Sequence, residues 1–323
     1  DWVFSRQHYW GEPIPMVFCK KCASMAGSTA AGWHPVAEKD LPIKLPKIKK
    51  YKPADTGESP LSLIKKWVNI QCPKCGGPAQ RETDTMPNWA GSNWYFLRYI
   101  DPKNNKKLAD ELALKYWMPV DWYNGGMEHT TLHLLYSRFI FKFLWDIKVV
   151  PAPVGPEPYK KRTSHGMVLG EGGIKMSKSK GNVINPDAIV KEYGADTLRV
   201  YEMFMGPFEQ MIPWDTKGVI GCRRFVEKVW NLSFNKVSLE ASSELRKLLH
   251  KTIKKVEEDI EVMKFNTAVS SMMEFVNAWS SGESSLDKKD LADFLKILSP
   301  FVPHLSEELW VEAGFKGMCC EQK

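Results

Sequence analysis

Long apolar runs are missing from this 323-residue chain, and none reaches the roughly 20 residues that a membrane-spanning helix requires. The opening residues also lack the basic and apolar regions of a secretory signal. Cysteine is sparse: there are seven, and four of them form two Cys-x-x-Cys pairs rather than a disulfide framework. These absences argue against a membrane protein and a disulfide-stapled secreted domain, and they predict a cytoplasmic protein with a bound metal.

Composition and charge are those of an ordinary globular protein. Hydrophobic residues make up 43% of the chain and charged residues 26%, so a sizeable core is available. At this length we expect two or three domains. The net charge of +7 is compatible with a polyanionic partner but does not require one.

A glycine- and lysine-rich stretch at residues 170–182 carries the clearest chemistry. Lys175, Lys178 and Lys180 are separated by small side chains and flanked by glycines. Glycines permit unusual backbone angles, and lysines bind phosphate as point charges, so the stretch predicts a mobile loop that closes on a triphosphate. The alternative is a solvated basic turn.

The two Cys-x-x-Cys pairs predict a metal site. Cys19 and Cys22 form the first pair, and Cys72 and Cys75 form the second. Four thiolates complete a tetrahedral site for a structural Zn²⁺, with no open position for catalysis. The alternative is four reduced cysteines without a metal. The stretch at 44–53, rich in lysine and proline, predicts an exposed linker between the pairs.

A second centre of chemistry surrounds the glycines Gly125 and Gly126. The pattern predicts a strand, a glycine turn and then a helix that starts at Glu128, which is the layout of a nucleotide-binding crevice. A carboxylate just after the glycines suits ribose hydroxyls. His129 and His133 would share a helix face, but the glutamate precedes both, so the zinc motif H-E-x-x-H is not formed. Hydrogen-bonded pocket histidines are the alternative to metal ligands.

Residues 223–312 are predicted to be mostly helical. Between 245 and 263, apolar residues recur mainly every three or four positions, which is typical of an amphipathic helix. Its opposite side is basic, through Arg246, Lys247, Lys251, Lys254 and Lys255. Such a side is either solvated or contacts an RNA backbone.

These motifs resemble one family throughout the chain. Lys-Met-Ser-Lys-Ser at 175–179 resembles the signature loop of class I aminoacyl-tRNA synthetases. The stretches at 2–15, 82–86 and 94–99 and the Gly-Gly-x-Glu-His string are similar to leucyl-tRNA synthetases. The resemblance implies an α/β fold, namely the second half of a Rossmann-like catalytic domain with a zinc-binding insert, followed by an all-α helical bundle. The implied domains are a re-entry segment 1–18, the insert 19–78, the catalytic half 79–206, a connector 207–222, an anticodon-binding-type domain 223–312 and a tail 313–323.

The resemblance also implies a reaction and a site. Leucine and ATP, with Mg²⁺, would form leucyl-adenylate, which would then esterify tRNA(Leu). Lys175 and Lys178 would act on the triphosphate as the catalytic residues. The implied ATP-binding residues are Gly125, Gly126, Glu128, Met167, Val168, Lys175, Met176, Ser177, Lys178 and Ser179. The implied leucine pocket is lined by Trp89, Tyr95, Tyr123, His129 and His133.

The chain departs from the family pattern at two points. His8 stands where these enzymes usually have arginine, and none of the seven histidines lies in a His-x-Gly-His motif. We therefore expect the chain to need an N-terminal half, or an α subunit, that carries this motif and the editing domain, and to show little adenylation alone. Two alternatives are a valyl- or isoleucyl-type fragment and a non-catalytic tRNA-binding paralogue.

Overall fold

The structure is a computed structural model that describes residues 3–47, 57–281 and 283–322. The chain divides into two compact units, Asp1–Thr163 and Ser164–Lys323, called here the first and second units. Most of the predicted linker at 44–53 lies outside the described residues. No helix among the described residues is long and apolar enough to cross a membrane.

Residues 19–78 of the first unit, called here the insert, belong to a small antiparallel sheet that also includes the flanking residues 16–18 and 79–81. Its strands lie in the order β2-β1-β4-β3, and two short helices connect them. The elements in chain order are β1 (Met16–Phe18), α1 (Lys20–Ala26), β2 (Trp33–Pro35), α2 (Lys65–Val68), β3 (Asn69–Gln71) and β4 (Pro78–Arg81). One face of the sheet buries Val17 and Ala79 against three of the paired cysteines.

The rest of the first unit combines helices with a two-stranded sheet. Its elements are α3 (Asn88–Ser92), α4 (Tyr95–Ile100), α5 (Glu111–Trp117), β5 (Val120–Gly126), α6 (His133–Asp146) and β6 (Tyr159–His165), whose last two residues belong to the second unit. Asp121 contacts Lys160, and Asn124 contacts Thr163. Both pairs are 39 residues apart, and a constant separation along two strands indicates that β5 and β6 are parallel.

The helix predicted to begin at Glu128 begins later. Met127–Thr130 form a single 3₁₀ turn, and α6 starts only at His133. Leu132, with φ −111° and ψ −112°, lies outside the helical region and separates the two elements. The prediction that His129 and His133 share a helix face is therefore wrong, because they belong to different elements.

The second unit is mainly helical. A two-stranded parallel sheet, β7 (Val168–Leu169) with β8 (Ile212–Pro213), accompanies the helices. The helices are α7 (Pro186–Tyr193), α8 (Ala195–Phe204), α9 (Thr216–Asn235), α10 (Ser243–Glu261), α11 (Phe265–Ser280), α12 (Lys288–Leu298) and α13 (Pro303–Glu312). The amphipathic pattern at 245–263 thus lies on α10, as predicted, except for its last member, Met263, which follows the end of the helix. One continuous core holds these helices together, with Trp279, Phe275 and Phe294 fully buried.

Helix α13 is capped by a distant residue. Val302 precedes it and has no side chain that can cap the first turn. Instead Asp196 on α8 accepts hydrogen bonds from the Leu305 N–H at 2.7 Å and from His304 Nδ1 at 2.8 Å. A buried carboxylate at a helix N-terminus satisfies backbone donors and complements the helix dipole, so α8 and α13 are fastened together.

Candidate active site and metal centre

The end of β5 places a carboxylate beside a glycine. Gly126 is buried, and a Cβ built on it would collide with the carboxylate of Glu128. Glu128 itself is exposed on the 3₁₀ turn. A side chain at this position would displace the end of the flexible Glu128 side chain, so the glycine leaves room for the acidic group in the position seen here.

Tyr123 and His133 form a hydrogen-bonded wall beside this turn. His133 Nε2 lies 2.9 Å from the Ser92 carbonyl oxygen, and a carbonyl can only accept, so Nε2 carries the proton. His133 Nδ1 is then free to accept from the Tyr123 hydroxyl at 2.9 Å. Burial lowers the pKa of His133, and the neighbouring His129 lowers it further, although the Ser92 contact opposes the shift. The imidazole is therefore held neutral with its tautomer fixed.

Further aromatic rings lie against Tyr123 and His133, and a separate ring pair is formed at His129. Trp89 meets His129 edge to face, with ring centroids 5.4 Å apart. Tyr95 lies 5.7 Å from His133, and Tyr159 packs 4.4 Å from Tyr123. All five predicted pocket residues thus lie in the first unit and belong to two ring clusters. An uncharged aromatic wall of this kind suits an apolar side chain.

His8 lies next to the same region. Together with Arg6, Trp89 and Tyr136 it lines a cavity of about 530 Å³. The buried Thr85 hydroxyl donates to the His8 carbonyl at 3.0 Å, so His8 Nδ1 donates to Thr85 Oγ1 at 2.9 Å. His8 is therefore tied to the chain by this contact.

The lysine-rich loop lies in the second unit and is held by one amide side chain. Asn182 Oδ1 accepts from the Ser177 N–H at 2.9 Å, and Asn182 Nδ2 donates to the Lys175 carbonyl at 3.3 Å. A Cβ built on Gly170 would lie 3.0 Å from this amide, so the glycine leaves room for it. Met176 packs against the helical core and anchors the middle of the loop.

The lysines of the loop are available to a ligand. Lys175, Lys178 and Lys180 are exposed, and within the described parts of the chain none forms an ion pair with a carboxylate. Ser177 and Ser179 pair through their hydroxyls at 3.1 Å. Three unpaired cations on a short clasped loop form a binding surface for a phosphate chain.

Strand β7, just before the loop, presents one free backbone edge. The carbonyls of Met167 and Leu169 accept from Ile212 and Trp214, so both face β8. Backbone groups alternate along a strand, and those of Val168 therefore point to the opposite edge, which no strand covers among the described residues. Met167 and Val168 also border an apolar cavity of about 350 Å³.

The four paired cysteines converge in the insert. Their sulfur atoms all lie within 4.8 Å of one another, with Cys19–Cys75 at 3.6 Å and Cys22–Cys72 at 3.9 Å. Tetrahedral Zn–S bonds of about 2.3 Å would place sulfurs about 3.8 Å apart, so this set fits zinc. Burial disfavours a Cys72 thiolate, yet the backbone N–H groups of Cys75 and Lys74 outweigh it and lower the Cys72 pKa.

Comparison with known proteins decides the family. Residues 1–215 match the family described as tRNA synthetases class I (I, L, M and V), and residues 243–323 match the anticodon-binding domain of tRNA ligase. The chain belongs to the class I tRNA synthetases. It is 59% identical over 98% of its length to the leucine--tRNA ligase of Alkaliphilus oremlandii (strain OhILAs). The resemblance to leucyl-tRNA synthetases is therefore confirmed.

A solved structure gives the same result at the level of the fold. The agnB2 LeuRS of Agrobacterium radiobacter K84, crystallised in a ternary complex with tRNA and LeuAMS, superposes with a TM-score of 0.79 at 36% identity. The match covers 98% of this chain and 42% of that one. The chain spans 38% of the Alkaliphilus ligase, so it corresponds to about two fifths of each relative.

Several residues of the candidate site carry no motif of their own. Ser92 contributes through its backbone carbonyl, which no sequence pattern reveals. Tyr159 supports Tyr123 from a strand that lies 36 positions later in the chain. Asn182 could have been noticed in the sequence, because it is the last residue of the glycine-flanked stretch. Its role depends on hydrogen bonds that only the fold defines.

Proposed function

We propose that this chain forms part of a leucine–tRNA ligase, which activates leucine with ATP to leucyl-adenylate and transfers it to tRNA(Leu). The observation that carries the proposal is the neutral wall of Tyr123 and His133. A leucine side chain offers no hydrogen bond, so a buried pocket for it requires walls without net charge. The fixed tautomer of His133 supports that condition.

The proposed roles of the other residues follow from their chemistry. Glu128 would bind the ribose hydroxyls, and Gly125 and Gly126 would let the nucleotide approach the backbone closely. The free edge at Val168, with Met167, would receive adenine. The loop at 175–179 would bind the triphosphate: Lys175 and Lys178, with Mg²⁺, would stabilise the charge that develops on the departing pyrophosphate. The side chain of leucine would contact Trp89, Tyr95, Tyr123, His129 and His133.

We also propose that Cys19, Cys22, Cys72 and Cys75 hold a structural Zn²⁺. The sulfur separations support this, and the all-thiolate set leaves no position for substrate. The domain boundaries expected from the sequence, including the Rossmann-like assignment of 79–206, belong to the same proposal. So does a cytoplasmic location, which rests on the reduced cysteine pairs.

The proposed activity requires a second polypeptide segment. The 323 residues contain no His-x-Gly-His motif, and they correspond to 38% of the related ligase. We propose that an N-terminal half or α subunit supplies that motif and the editing domain, and that this chain alone supports little adenylation.

Leucine-dependent ATP–pyrophosphate exchange tests the proposal. The chain would be measured alone and together with the N-terminal half, and exchange is expected only for the combination. Lys175→Ala and Lys178→Ala should each reduce exchange by at least tenfold, whereas Lys191→Ala, an exposed lysine on α7, should not. Robust exchange by the chain alone would contradict the dependence on a second half.

The same assay separates the alternatives. Exchange stimulated by valine or isoleucine rather than leucine would indicate another member of the class. Binding of tRNA without exchange, even with the second half present, would indicate a non-catalytic relative.

A further inference from the structure

The insert carries the whole net charge of the chain. Residues 19–78 contain eleven lysines, no arginine and four carboxylates, a net charge of +7. The remaining 34 basic and 34 acidic residues cancel. The net positive charge of this protein is therefore concentrated in fewer than a fifth of its residues, which is typical of a segment that binds a polyanion.

The insert lysines that the structure describes are not neutralised by neighbouring carboxylates. Eight of the eleven lie in described positions, all eight are exposed, and within the described residues none forms an ion pair with a carboxylate: Lys20, Lys21, Lys39, Lys44, Lys47, Lys65, Lys66 and Lys74. Lysines without a carboxylate partner retain their full charge for an external ligand.

Helix α10 provides the contrast. Its basic side looks equally suited to RNA in the sequence, yet four of its five cations are paired. Arg246 binds Asp287 and Asp290, and the lysines at 247, 254 and 255 bind carboxylates of their own helix. Of the two basic regions, the insert therefore carries most of the free positive charge, and Lys251 is the one cation of the basic side of α10 without a carboxylate partner among the described residues.

The sheet of the insert adds a face suited to bases. Register pairs Trp33 with Phe18, Phe18 with Gln80, and Gln80 with Asn69, so these four side chains form one row across the sheet. Phe18 and Trp33 lie 5.1 Å apart, and Trp33 is 38% exposed. Because side chains alternate along strands, this row lies on the face opposite the buried cysteines.

A groove connects this row to the lysines. Its volume is about 870 Å³, and its lining includes Phe18, Lys20, Lys21, Asn69 and Gln80. Cations, amides and an aromatic ring therefore border one concave surface.

We propose that this groove and the sheet face beside it bind single-stranded RNA. Phe18 and Trp33 stack on bases, the amides of Asn69 and Gln80 hydrogen-bond base edges, and Lys20 and Lys21 hold phosphates. An acidic protein or an anionic membrane would use the charge but not the row of rings and amides. The inference is independent of adenylation, because RNA binding needs neither ATP nor the second half.

Fluorescence anisotropy with a labelled 12-nucleotide oligouridine and the zinc-loaded chain tests the proposal. Binding should weaken as salt rises. Lys20→Gln/Lys21→Gln should reduce affinity about tenfold at 0.1 M salt and lower the slope of log K against log[salt] by about 1.4, since each single-strand phosphate contact contributes about 0.7. Lys247→Gln/Lys254→Gln on α10 removes the same charge and should leave both values unchanged.

An abasic oligonucleotide of equal length tests the role of the bases. It should bind at least fivefold more weakly than oligouridine, and Trp33→Leu should abolish most of that difference. Equal binding of the abasic probe would show that the surface recognises only charge and would overturn the RNA assignment. Equal losses of affinity in the two double-lysine variants would show that RNA does not bind at the groove of the insert.

Discussion

Replacing Tyr123 by phenylalanine tests the hydrogen-bonded wall most directly. The change removes only the hydroxyl that donates to His133 Nδ1 at 2.9 Å and leaves the ring packed 4.4 Å from Tyr159. A buried acceptor then loses its partner. We expect a loss of about 1 kcal/mol in the free energy of unfolding, at the low end for such a group because Tyr123 is only half-buried and water can reach the site.

The same change should alter the titration of His133. Burial lowers its pKa from the ordinary 6.5, so the unfolded chain binds more protons than the folded chain between the lowered pKa and 6.5. The stability contributed by the neutral ring is therefore complete above pH 6.5 and is lost as the pH falls, by at most about 1.4 kcal/mol per pH unit. Because the Tyr123 hydroxyl favours the neutral ring, Tyr123→Phe should raise the His133 pKa and make that loss smaller.

NMR titration of the imidazole Cε1–H signals measures this pKa, with His133→Gln to assign the signal. Tyr159→Phe is the matched control, since it removes a 2.8 Å hydrogen bond to Ser137 from the same cluster without touching His133. The control should lose similar stability with no change in the His133 pKa. An unchanged or lower pKa in Tyr123→Phe, or an equal rise in the control, would refute the proposed hydrogen-bond geometry.

Three further predictions concern the cap, the loop and the insert. Asp196→Ala should destabilise α13 by about 2 kcal/mol, since two charge-assisted contacts are lost. Hydrogen exchange of residues 303–312 measures this loss, and a similar effect of His304→Ala would contradict the capping role. Asn182→Ala should speed exchange and proteolysis in residues 170–182, because Ser177 loses its hydrogen-bond acceptor; protection equal to wild type would contradict the clasp. Removing metal with a chelator should unfold the insert, because three of the five buried residues in its small core are cysteines, and should leave the second unit intact. Unchanged circular dichroism and hydrogen exchange would exclude a structural metal.

Local patterns predicted the elements that depend on short stretches of chain. The apolar spacing at 245–263 predicted a helix, and Ser243–Glu261 form α10 because one face packs into the helical core. The two cysteine pairs were likewise sufficient to predict their convergence, since each pair already presents two thiols together. The position of the 175–179 loop was also evident, because its glycines and lysines are contiguous.

Patterns failed where non-local contacts decide the outcome. The spacing of His129 and His133 predicted one helix face, but the backbone at Leu132 divides them, and each ring then pairs with a residue from 40 or more positions earlier. The basic side of α10 could not be distinguished from a binding surface, because two of its partners, Asp287 and Asp290, lie on a later segment.

The sequence by itself determined the family, the cysteine quartet, the lysine loop and the helical second unit, because each is written in contiguous residues or in a helical repeat. Only the tertiary structure decided the state of the individual groups. It fixed the neutral tautomer of His133, left the described lysines of the insert without carboxylate partners while pairing most cations of α10, and aligned Trp33, Phe18 and Gln80 in one row. The reason is physical: charge state, pairing and alignment depend on which distant groups come within hydrogen-bonding or ion-pairing distance.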